Sequence, residues 1–64
     1  MTVLVLTVET PKGDVHLEVG EVAEAPAVGD WVDREESGWR GLVTKRWWSF
    51  SKRGRVECRV LLQP

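Results

Sequence analysis

Apolar and polar residues alternate along most of the chain in short runs separated by turn residues, which is the pattern of β-strands. The runs predict five strands, at about residues 2–9, 14–21, 30–33, 40–50 and 55–62. Residues 20–27 allow only a short helical turn, because Pro26 limits its length. We therefore predict an all-β fold, built from two hairpins and a short connecting strand and closed into a small barrel or sandwich.

The first hairpin has the most consistent pattern. Its turn is predicted at Thr10-Pro11-Lys12-Gly13, because Pro suits the second position of a type I turn and Gly the fourth. A four-residue loop pairs Val8 with Val15, Leu6 with Leu17 and Leu4 with Val19 on one face, and Thr7 with His16 and Val5 with Glu18 on the other. Turn chemistry and side-chain period agree on this register, so the apolar face is predicted to face the core.

The last strand alternates as cleanly, with its apolar residues on one face and its charged residues on the other. Combining both hairpins with the middle of the chain predicts one core. Its members are Leu4, Leu6, Val8, Val15, Leu17, Val19, Val32, Val43, Val56, Cys58, Val60 and Leu62. Gly41 interrupts the long fourth strand, and we expect a bulge or a sharp bend there.

The segment from residue 28 to residue 62 resembles the SH3-like small β-barrel proteins of bacteria and their phages and plasmids. The residues that carry the resemblance are Val28-Gly29-Asp30-Trp31-Val32, a polar loop, Gly38-Trp39-Arg40-Gly41-Leu42-Val43, and a hairpin into the alternating last strand. The resemblance covers about half of the chain and is shared by many families. It implies a five-stranded SH3-like barrel and no particular activity.

One SH3-like family with a known reaction is the plasmid-borne type II dihydrofolate reductase, which acts as a tetramer with the active site in its central pore. This chain has a similar progression of Gly-Asp, Ser-Gly, Trp and Gly. The signature of that family is a Val-Gln-Ile-Tyr run late in the chain. The corresponding region here is Val60-Leu61-Leu62-Gln63-Pro64, and the chain contains no Tyr. We therefore do not expect reductase activity.

Charge is divided by position along the 64 residues. Residues 1–39 hold nine of the ten carboxylates and only two cations, whereas residues 40–64 hold seven of the nine cations. The basic part also contains Trp47, Trp48 and Phe50, with Trp39 at its border. Cations interleaved with aromatic rings make a surface that binds anions and stacks on rings. This pattern predicts a binding surface on the second hairpin.

The candidate binding residues are Lys45, Arg46, Trp47, Trp48, Lys52, Arg53, Arg55 and Arg59. Adjacent strand residues point to opposite faces, so one of Trp47 and Trp48 is expected to fill the core and the other to face outward. Depending on loop length, either one lies opposite Cys58. The outward ring either covers neighbouring aliphatic stems or forms a contact platform. Trp31, which begins a strand, is expected to pack at the barrel end.

The sequence gives little support for a disulfide, a metal site, a membrane helix or catalysis. Cys58 and His16 are the only Cys and His, so the chain predicts no intrachain disulfide and no zinc site. Cys58 is expected to be a small buried hydrophobe and His16 to be solvated. The apolar start of the chain is too short for a membrane helix. We expect a single cytoplasmic domain over residues 1–64 that is not an enzyme and uses no cofactor, metal or membrane.

Two functions remain. The favoured one is a protein-interaction module or self-associating barrel, in which the opposite charges form complementary patches within one fold or between subunits. The alternative is a nucleic-acid-binding barrel that contacts phosphates through its cations and stacks a base on an exposed Trp. The acidic first part and a sequence pI near 5.7 weigh against nucleic acid.

Overall fold

A computed structural model describes residues 2–51 and 53–64, and the predicted strands are confirmed with every boundary within one residue. The five strands are β1 (Thr2–Thr10), β2 (Gly13–Val22), β3 (Trp31–Arg34), β4 (Trp39–Phe50) and β5 (Val56–Gln63). Within the described residues there is no helix, and the short helical turn allowed at residues 20–27 does not form. The all-β prediction is therefore correct.

The strands form one sheet in the order β2-β1-β5-β4-β3. All neighbours are antiparallel except β1 and β5, which run parallel. The sheet curls into a half-barrel, consistent with a small SH3-like barrel, and β2 and β3 are its two edges. We call the face that encloses the core the concave face and the opposite face the convex face.

The first hairpin has the predicted register over most of its length. Val8 lies opposite Val15, Leu6 opposite Leu17, Thr7 opposite His16 and Val5 opposite Glu18. The predicted pair of Leu4 and Val19 is wrong, because Leu4 lies opposite Gly20 and Val19 is the extra residue of a bulge. Gly20 has a φ of 116°, which a residue without Cβ adopts readily. Val19 still packs against the core.

Gly41 has a different role from the bend predicted for it. A Cβ at this position would lie 2.9 Å from the backbone carbonyl carbon and oxygen of Gln63. Only Gly therefore lets β4 approach the end of β5 so closely. The bulge in β4 lies further along, where Val43 is opposite Leu62 and Lys45 is opposite Leu61, with Thr44 as the extra residue.

Half of the predicted core is buried and most of the rest surrounds it. Leu4, Leu6, Val43, Cys58, Val60 and Leu62 are buried, and Val8, Leu17, Val19 and Val32 pack against them, as do Val22, Ala25 and Trp39. The prediction that Val15 belongs to the core is wrong, because Val15 is 46% exposed. It lies on edge strand β2, and β2 has no strand on its outer side to cover it. Val56 is only half-buried.

Strand β1 is buried on both faces, which the alternation did not predict. Val5 and Thr7 belong to its convex face, yet both are buried. β1 lies between β2 and β5, so each of these residues has a neighbour on both sides. Val5 is flanked by Glu18 and Arg59. Thr7 is flanked by His16 and Leu61. Long side chains on both neighbouring strands therefore flank the two buried residues of the convex face.

Candidate binding surfaces on the second hairpin

The loop of the second hairpin fixes which tryptophan lies opposite Cys58. Phe50 pairs with Val56, so five residues separate β4 from β5, and Trp48 lies opposite Cys58. The loop is held by hydrogen bonds from the Ser51 amide to the Arg55 carbonyl at 2.9 Å and from the Arg55 amide to the Ser51 hydroxyl at 3.0 Å. Lys52, one of the candidate residues, lies outside the described residues.

Trp47 and Trp48 lie on opposite faces of β4. Trp47 is on the convex face opposite Arg59, and Trp48 is on the concave face. The expectation that one ring fills the core is wrong, because Trp48 is 47% exposed and Trp47 is half-buried. β3 is only four residues long and pairs with residues 39–42 of β4. Beyond residue 42, β4 is paired with β5 on one side, but the part of the chain that the structure describes has no strand on its other side, and the concave face is left uncovered there.

Three residues occupy this uncovered concave face: Arg46, Trp48 and Phe50, which we call the concave-face cluster. The bulge at Thr44 places Arg46 opposite inward-facing Val60 and hence on the core side of the sheet. The Arg46 guanidinium carbon lies 5.9 Å from the Trp48 ring centroid, and its Nη1 donates a hydrogen bond to the Pro26 carbonyl at 3.3 Å. Phe50 is 73% exposed. The cluster thus joins a cation to two exposed rings.

Cys58 lies opposite Trp48 and is fully buried, as expected of a small hydrophobe. Burial raises the pKa of its thiol, and the positive charge of Arg46 opposes that increase less strongly. The neutral thiol is therefore the stable form, and a nucleophilic role is not indicated.

On the convex face, two candidate cations are engaged by carboxylates. Arg55 forms an ion pair with Glu18 and a second with Glu57, whose Oε2 lies 3.1 Å from Arg55 Nε. Arg59 Nη1 lies 2.9 Å from Glu57 Oε1. We call Glu18, Arg55, Glu57 and Arg59 the convex network. Its two positive and two negative charges compensate each other, and the Glu18 pair joins the acidic and basic parts of the chain within one fold.

His16 borders this network and is not simply solvated. Its side chain is exposed, but Nδ1 lies 2.9 Å from the Thr7 hydroxyl and 3.3 Å from Nη2 of Arg59. A guanidinium only donates, so Nδ1 is the acceptor in the contact with Arg59. The contact with Nδ1 gives the buried Thr7 hydroxyl a hydrogen-bond partner.

The candidate residues therefore divide into separate groups. Arg46 and Trp48 share the concave face, whereas Trp47, Arg55 and Arg59 share the convex face with Lys45, whose Nζ lies 5.7 Å from the Trp47 ring centroid. Arg53 is exposed in the loop. Among the described residues, Lys45, Arg46 and Arg53 have no ion-pair partner within 4.0 Å. The described candidate residues of the second hairpin are therefore distributed over both faces of β4 and the loop that follows it.

The candidate binding residues chosen from the sequence did not include two exposed aromatic residues, Phe50 and Trp31. Phe50 follows Trp48 by two positions, so strand alternation places both on one face, but the exposure depends on the shortness of β3. Trp31 is 58% exposed instead of packed at the barrel end. It lies opposite Leu42 on the convex face of edge strand β3. Beside it is a cleft lined by Glu24, Ala25, Pro26, Asp30, Trp31 and Val32, which we call the acidic cleft.

Among residues 2–51 and 53–64, no three His, Cys, Asp or Glu side chains are grouped so that they could hold a metal ion. The same residues include no helix with the length and apolar character needed to cross a membrane. No family model, curated protein or solved structure matches the chain.

Proposed function

We propose that the chain is a non-catalytic protein-binding module whose main contact surface is the concave-face cluster. The observation that carries the proposal is the exposure of Trp48 and Phe50, side by side on one face of β4 and 47% and 73% accessible. Exposed aromatic pairs of this kind mark contact surfaces, and Trp and Arg are the residues most enriched at binding hot spots. Arg46 supplies the neighbouring cation.

The charges favour a protein over a nucleic acid as the partner. Phosphate binding needs several free cations along one surface. Arg55 and Arg59 are engaged by Glu18 and Glu57, and Lys45 lies on the opposite face from Arg46. Ten carboxylates against nine Lys and Arg residues give the chain a net charge of −1. Among the described residues, the cations without an ion-pair partner are therefore divided between two faces and the loops, and a duplex or single strand would also meet many carboxylates.

A reducing compartment such as the cytoplasm fits the single cysteine. Cys58 is buried in the core, and the chain has no second Cys with which it could form an internal disulfide. We therefore propose that the protein is cytoplasmic.

The test is a matched comparison of surface variants as immobilised baits in an extract of the protein's own cells. Phe50→Ser removes the most exposed ring of the cluster, and Val15→Ser removes an exposed apolar side chain on the distant edge strand β2. We expect a specific protein to be retained by the wild type and by Val15→Ser but lost with Phe50→Ser. Equal retention by all three baits would contradict the proposal.

A gel-shift titration with single-stranded and duplex DNA and RNA completes the test. We expect no shift at about 0.1 M salt. A shift that falls steeply as salt is raised to about 0.3 M would instead support the nucleic-acid alternative, since counterion release makes such binding strongly salt-dependent.

A further inference from the structure

The molecule carries two exposed aromatic surfaces with opposite charge. The concave-face cluster contains one cation, Arg46, and a second cation, Arg53, lies three residues after Phe50 in the loop that follows β4. Neither Arg46 nor Arg53 has an ion-pair partner among the described residues. The acidic cleft holds Glu24 and Asp30 beside Trp31, and in the same part of the structure these carboxylates have no ion-pair partner either. Each surface thus has the charge that would recognise the other.

The two surfaces adjoin. Pro26 lines the acidic cleft, and its carbonyl accepts the hydrogen bond from Arg46 of the concave-face cluster. Arg46 nevertheless forms no ion pair with either carboxylate of the cleft within 4.0 Å. Because the surfaces are neighbours, a second copy related by a two-fold axis can place its cluster on the cleft of the first and receive the reciprocal contact.

From these observations we infer that the partner of the concave-face cluster is a second copy of this chain, bound through its acidic cleft. The inference rests on the proposed function and names its partner. The resulting homodimer is isologous: the cations of each copy meet the carboxylates of the other, and the exposed rings of both are removed from water.

The area available fits a dimer of modest size. A standard interface buries about 800 Å² on each partner, roughly a sixth of the 4617 Å² accessible surface of this chain. An aromatic side chain contributes about 150–250 Å² when fully buried. The exposed fractions of Trp31, Trp48 and Phe50 therefore supply roughly half of the area needed. The charged residues around them and the rest of the cleft must supply the remainder, so both surfaces are required.

The experiment is a charge swap followed by light scattering and sedimentation from about 1 µM to about 1 mM protein, the range that covers weak to moderate dimers. Glu24→Lys and Arg53→Glu each place like charges at both reciprocal contacts, and we expect each to raise the dimer dissociation constant about tenfold or more. An equal mixture of the two variants restores opposite charges at both contacts. We expect that mixture to dimerise about as well as the wild type.

Matched controls carry the same charge changes away from both surfaces. Asp14→Lys and Lys12→Glu alter exposed residues near the turn of the first hairpin, and we expect the mass of each to follow that of the wild type. Raising salt from about 0.1 M to about 1 M shortens the screening length to about 3 Å and should shrink the difference between the variants and the wild type. A circular dichroism melt of every variant confirms that it is folded.

Three results would overturn the inference: a wild type that stays monomeric at about 1 mM, a dimer that both charge reversals leave unchanged, or a mixture that does not recover. The first leaves the proposed function standing if the extract experiment finds a different protein lost with Phe50→Ser. A dimer that also ignores Phe50→Ser would overturn the proposed contact surface itself.

Discussion

The two hairpins follow the same alternation of apolar and polar residues but differ in how much of their surface is covered. In the first hairpin, β1 has a strand on each side from Thr2 to Val8, and four consecutive residues, 4–7, are buried. In the second hairpin, β4 extends well past β3, and its concave-face side chains beyond residue 43 are exposed or partly exposed. Alternation decides which face a side chain joins, but the neighbouring strands decide whether that face is covered.

The same contrast applies to charge. Around the first hairpin, Glu18 on β2 reaches Arg55, and Glu57 on β5 binds both Arg55 and Arg59. Glu18 and Arg59 of this network flank the buried Val5 on the convex face of β1. Arg46 of the second hairpin stays without a carboxylate partner within the described residues and lies beside an exposed ring. The paired charges thus lie on the convex face beside β1, whereas Arg46 is unpaired on the concave face of β4.

Replacing Leu6 by Ala is expected to give the largest effect on stability. Leu6 is fully buried, opposite Leu17 on one side and Val60 on the other. Deleting its buried methyl groups should lower the free energy of unfolding by about 2–5 kcal/mol, which is much of the total for a domain this small. Urea unfolding followed by Trp fluorescence measures it. A midpoint close to that of the wild type would show that β1 does not organise the core.

Replacing Gly41 by Ala is expected to have the second largest effect on stability. The new Cβ would lie 2.9 Å from the Gln63 backbone, so β4 and β5 must separate at this point. Overpacking of this kind should cost about 1–3 kcal/mol. The control is Ser37→Ala in the exposed turn before β4, which should change stability by less than about 0.5 kcal/mol. Equal unfolding midpoints for the two variants would contradict the close approach.

Alternation and turn chemistry predicted the five strands and nearly all of the first register, because both signals depend on neighbouring residues. They could not place Val19 or Thr44, since a bulge depends on how two strands fit in three dimensions. The candidate site was predicted less well. The split of Trp47 and Trp48 between faces follows from alternation, but the exposure of Trp48 depends on where β3 ends.

The ion pairs also could not be predicted from the sequence. Nothing local in the sequence indicates that Glu18 reaches Arg55, which is 37 residues away and lies two strands over in the sheet. The charge division between the two parts of the chain suggested complementary patches without deciding whether they meet within one fold. On the convex face they do meet. The cations that remain unengaged are therefore fewer than the composition of the second hairpin indicates.

Neutralising Glu57 is expected to have a moderate effect. Its side chain is 20% exposed and accepts from both Arg55 and Arg59, so Glu57→Gln weakens two contacts at once. We expect a loss of about 1–2 kcal/mol in the free energy of unfolding, smaller at high salt. The matched control is Glu21→Gln, an exposed residue of β2, with a loss below about 0.5 kcal/mol. Similar losses for both would mean that the convex network does not support β1.

Replacing Phe50 by Ser is expected to change stability least and binding most. Phe50 is 73% exposed, so its loss should alter the free energy of unfolding by less than about 0.5 kcal/mol. If the concave-face cluster is a hot spot, the same change should weaken association by about 2 kcal/mol or more, measured as the dimer dissociation constant by sedimentation. Trp47→Ala provides the counterpart, because Trp47 is half-buried opposite Arg59. It should lower stability more than Phe50→Ser and weaken association less. The reverse order would place the contact surface on the convex face, where Lys45 and Trp47 are neighbours.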